Sequence, residues 1–109
     1  MNFKELKIEI KGIKFDTLRA DSDNYFEAVI AKDAIEQLIR TLEIFFGVPL
    51  WPSEKKLNVQ IEEMINNFGG IEKGQTLYFK NDQESVIFAM LWPWRDGERT
   101  TLKLVNKEK

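Results

Sequence analysis

Few stretches of this 109-residue chain combine residue types and spacing that could do chemistry. Ser53-Glu54-Lys55-Lys56 has the S-x-x-K spacing of serine acyl-enzymes, in which a lysine amine in a shielded pocket takes the hydroxyl proton. The companion S-D-N and K-T-G motifs are missing, and the lysine pair stands before a polar helix face. Ser53 therefore reads as the N-cap of a helix, with Glu54 near the positive end of its dipole.

The acidic residues carry less. Asp21-Ser22-Asp23-Asn24 begins like a calcium loop, but Tyr25 stands where a ligand is needed and Phe26 where the sharp turn requires glycine. Asp82 with Glu84 and Asp96 with Glu98 fall in expected turns, and Glu62 and Glu63 diverge around a helix. The glycine-rich frame GGIEKG, residues 69–74, follows a helix instead of opening one, so it does not cradle a phosphate. The chain holds no histidine and no cysteine. That removes the commonest general base, the commonest metal ligand, thiolate chemistry and disulfides. The expectation is a non-enzymatic protein without cofactor or metal.

The tryptophans are more suggestive. All three adjoin prolines, in Trp51-Pro52 and Trp92-Pro93-Trp94. Stiffened aromatic segments present contact area at low entropic cost. With the end of the preceding helix they define a candidate interaction surface of Phe46, Trp51, Leu91, Trp92, Trp94 and Arg95. The competing reading places Trp51 and Trp92 at the ends of the core.

The elements that must position these residues follow from hydrophobic periodicity. Ala34, Ile35, Leu38, Ile39, Leu42, Phe45 and Phe46 form the stripe of a helix over 33–46, closed by Gly47. Leu57, Ile61, Met64, Ile65 and Phe68 stripe a second helix, from Ser53 to about Phe68, ended by Gly69-Gly70. Leu6, Ile8 and Ile10 alternate with charged residues and read as a strand, with a bulge or bend at Gly12. Lys4, Lys7, Lys11 and Lys14 then lie on its wet face. Residues 25–31, 76–80, 85–92 and 100–105 read as further strands. NDQE and Asp96-Gly97 supply the turns of the last three. The expected fold is α+β, in the order β-β-α-α-β-β-β: an antiparallel sheet of about five strands with two helices on one face. It forms a single domain, 1–109, with residues 106–109 a frayed tail.

A net charge of −2, with no basic cluster, argues against nucleic acid. The absence of an apolar leader or spanning segment points to a cytoplasmic protein that neither enters nor crosses a membrane. The stretch 85–92 is apolar on both sides, yet two helices on one face would leave its other face wet. Something must cover that face: a second copy, another protein, or the WPW corner folded over it. The leading expectation is therefore a small interaction domain of inhibitor, immunity or adaptor type, binding a protein partner or itself. The alternative is a module binding a small-molecule ligand in a tryptophan-lined pocket.

Overall fold

The computed structural model describes residues 1–52 and 57–108. The elements in chain order are α1 (Phe3–Lys11), β1 (Phe15–Asp21), β2 (Tyr25–Ala31), a 3₁₀ turn (Lys32–Ala34), α2 (Ile35–Phe46), α3 (Val59–Asn66), β3 (Thr76–Asn81), β4 (Ser85–Pro93) and β5 (Arg99–Glu108). The fold is α+β, with five antiparallel strands in one sheet, ordered β1-β2-β5-β4-β3. The last strand of the chain is thus the central one, pairing Phe26 with Leu104 on one side and Ala89 with Leu104 on the other.

The segment around Leu6, Ile8 and Ile10 is a helix, not the expected strand. Asn2 caps it: its side chain accepts from the Glu5 amide at 2.9 Å while the Glu5 carboxylate accepts from the Asn2 amide at 3.1 Å. This reciprocal pair satisfies two otherwise orphaned donors. Phe3, Leu6 and Ile10 are buried at helical spacing, whereas Ile8 points away and is 60% exposed. Gly12 is the C-cap of α1, so it is neither bulge nor bend. Lys7 and Lys11 reach across to Asp21 at 2.9 and 2.6 Å and tie α1 to the end of β1. Those two ammonium groups hold the Asp21 carboxyl below the usual carboxylate range, Lys11 contributing most.

The helix over 33–46 is present as the 3₁₀ turn followed by α2, and Gly47 ends it at φ 81°. Helix α3 starts later than the stripe implied. Asn58 caps it, accepting from the Ile61 amide at 2.8 Å; the expected cap, Ser53, lies outside the described residues. The terminal strand also differs from expectation. Residues 106–108 do not fray but continue β5, opposite Ser85, Val86 and Ile87. The register shifts twice in β1, near Asp16 and Arg19, whereas β3 pairs regularly with β4.

The sheet is covered on both faces. On the first, Ile87, Ala89 and Leu91 of β4 and Leu102 and Leu104 of β5 pack with Leu6 and Ile10 of α1 and Leu38 and Leu42 of α2. On the second, Val86, Phe88 and Met90 pack with Ile65 of α3, flanked by half-buried Trp51, Ile61, Met64, Phe68 and Trp92. The two helices expected to share a face therefore lie on opposite faces. The N-terminal helix, missed in the sequence, takes the place beside α2. With apolar side chains alternating to both sides of β4, a helix on each face buries more surface than two on one.

Candidate functional site

The six candidate surface residues do not form one surface. Leu91 is 4% exposed and lies in the core beneath α1 and α2. Its even-numbered neighbour Trp92 points to the opposite face, as the pleat requires. Phe46 is half-buried against Tyr78, ring centroids 5.7 Å apart, on the first face. Trp51 is half-buried on the second, at the sheet edge, where its backbone pairs with Leu77. Trp94 and Arg95 are the two that remain exposed.

Trp94 has the most organised surroundings. Its indole N–H donates to Thr101 Oγ1 at 2.8 Å. The guanidinium carbons of Arg19 and Arg99 stand 5.7 and 5.6 Å from its ring centroid, within range for cation–π attraction. Each guanidinium is itself held. Arg19 reaches Glu27 at 3.3 Å, and Glu27 also accepts from the Tyr25 hydroxyl. Arg99 bonds Asp16 and Asp96, both at 2.8 Å. The Asp96 carboxyl is lowered below its ordinary range, chiefly by the Glu98 backbone N–H, with Arg99 adding to it. The Asp-Gly turn thereby fixes Arg99, and the second register shift of β1 falls at Arg19. Trp94 remains 36% exposed.

Beside this collar a hollow of about 690 Å³ is lined by Asp16, Ala31, Lys32, Asp33, Ile35, Glu36, Glu98 and Arg99. Four carboxylates against two cations make it unsuited to anions, and among the described residues no three acidic side chains converge as a metal site. A second cavity, about 400 Å³, opens beside α3 between Trp51, Leu57, Glu62, Ile65, Asn66 and Ile71. Further along the same face the Lys103 ammonium lies 3.8 Å from the Trp92 ring centroid and donates to the Phe68 carbonyl at 2.8 Å. Burial lowers its pKa.

Of the motifs weighed in the sequence, Asp21–Asn24 leads into the β1–β2 turn, where Asp21 faces two lysines rather than a metal. The S-x-x-K stretch, 53–56, lies outside the described residues. Sequence reasoning missed Arg19, Arg99 and Thr101, which come from two strands not adjacent in the sheet. Only the turn chemistry before Arg99 hinted at its placement. Among the described residues, no helix is long and apolar enough to cross a membrane. No family model, curated protein or solved structure matches the chain.

Proposed function

We propose that this is a non-enzymatic interaction domain whose contact point is Trp94 with the adjoining Arg95. The observation that carries the reading is the collar: a large exposed aromatic ring, fixed by a hydrogen bond to Thr101 and two anchored guanidiniums. A ring already immobilised loses little entropy on binding, and tryptophan and arginine are the residues that dominate binding hot spots. The apolar face that first suggested an interface no longer supports it, because α3 occupies that face. The displaced titrations of Asp21, Tyr25, Asp96 and Lys103 are each accounted for by a structural partner or by burial.

The test is native mass spectrometry of the untagged protein purified from its own source cells, beside a Trp94→Ala variant with unchanged circular dichroism. A homodimer or a complex with a second protein, lost in the variant, is the expected result. A bare monomer, or a complex indifferent to the substitution, sinks the reading. A second reading, a small-ligand module, is favoured by the cavity beside α3, whose size and mainly apolar lining suit a small molecule. It requires a change in Trp51 fluorescence on ligand addition.

A further inference from the structure

The chain between Trp51 and Leu77 leaves the sheet and returns to its starting point. Its two ends are bonded to each other: Leu50 and Trp51 amides donate to the Leu77 carbonyl at 2.8 and 3.2 Å, and the Leu77 amide donates to the Trp51 carbonyl at 2.9 Å. The excursion carries α3, the principal helical cover of the second face. Releasing residues 57–75 breaks no pairing in the five-stranded ladder, because β3 begins at Thr76.

Among the described residues, its hold on the sheet is thin. Ile65 is the one fully buried side chain of α3, whereas Ile61 and Met64 are half-buried and Val59 faces water. The cavity of about 400 Å³ lies along its flank. Beneath the cover, the indole N–H groups of Trp51 and Trp92 are buried with no acceptor among the described residues. The firm attachments cluster at the C-terminal end. Phe68 stacks on Tyr25 and meets Phe88 edge-on, each at 5.6 Å, and its carbonyl takes the Lys103 bond. Gly69, at φ 106°, lies so close to the Trp92 ring that a Cβ would come within 2.2 Å of it.

We propose that α3 and the turn after it, residues 57–75, open as one unit while the ladder and the first face stay closed. The opened state presents Val86, Phe88 and Met90 with the two tryptophans, a surface hidden in the closed protein. A detached helix of eight residues does not persist in water, so opening is also melting and is read directly by amide exchange.

The experiment is native-state hydrogen exchange of the full chain in low urea, followed by NMR. Amides of Glu62 to Asn66 are expected to exchange roughly a hundredfold faster than the slowest amides of α2, β4 and β5, with a weaker dependence on urea. Ile10→Val, a mild change in the core of the first face, is expected to speed the slowest amides of α2, β4 and β5 roughly fivefold and leave the α3 amides unchanged, because the opened state keeps the first face closed. If α3 amides share the rates and urea dependence of β4, or if the variant accelerates all elements equally, α3 unfolds only with the whole protein and the proposal fails.

Discussion

The two faces of one sheet are sealed to different standards. The first is closed by two helices that touch each other, and its core runs from Phe3 through Leu38 and Leu42 to Leu104. Among the described residues the second is closed by one short helix, and most apolar side chains there are only half-buried. Its remainder is polar: Glu27, Arg19 and Lys103 lie on it, Arg19 paired with Glu27 and both cations set against tryptophan rings. The difference teaches that burial, more than strand pairing, decides which parts of a small α+β domain are firm. β4 contributes equally to both faces, yet only one holds its cover closely. The first face is the more completely buried, and the proposed contact point and the proposed opening both lie on the second.

The contrast can be broken in several ways. Leu91→Lys places an ammonium within the first face without a partner, and is expected to cost more than about 4 kcal/mol and leave the chain unfolded. Far-ultraviolet circular dichroism reads this; a folded variant would mean that the first face is looser than described. For the same reason the substitution reports on the core and not on an interface. Truncations matched across the sheet come next. Leu42→Ala is expected to lower unfolding free energy by about 3 kcal/mol, within the usual range for a fully buried leucine. Ile65→Ala, equally buried but on the thin cover, is expected to cost about 2 kcal/mol or less, because the loss cannot exceed what α3 contributes. Equal shifts in urea midpoint would erase the distinction between the faces.

Smaller effects sharpen it. Asn2→Ala removes the capping box of α1 and is expected to cost about 1 kcal/mol in the urea titration. The Asp21 tie between α1 and β1 should fade in acid. Its carboxyl is lowered in the folded state, so its contribution is complete above the ordinary aspartate pKa and is lost as pH falls through the lowered value. The stability gap between the protein and Asp21→Asn is therefore expected to be full at pH 7 and to shrink as pH falls below the ordinary aspartate range; a constant gap would show that the lysines do not act through charge.

Some of this was legible in the chain and some was not. α2 was legible because its stripe runs without ambiguity to a glycine stop. The β3–β4–β5 meander was legible because NDQE and Asp96-Gly97 are turn chemistry between apolar runs. The N-terminus misled because Leu6, Ile8 and Ile10 alternate while Phe3, Leu6 and Ile10 also fit a helix. Nine residues satisfy both periods, and the capping pair Asn2 and Glu5 was the signal to weigh. At the candidate site, exposure of Trp94 and Arg95 could be suspected from their turn, but the collar from β1 and β5 could not.

Local periodicity along the chain was enough to set the α+β class, the central helix and the need for cover on both sides of β4. That α1 and α2 share one face, that α3 takes the other, and that β5 lies between β2 and β4 emerges only once the chain is packed. Those choices depend on which surfaces fit together, and residues far apart in sequence carry no local mark of the face they will share.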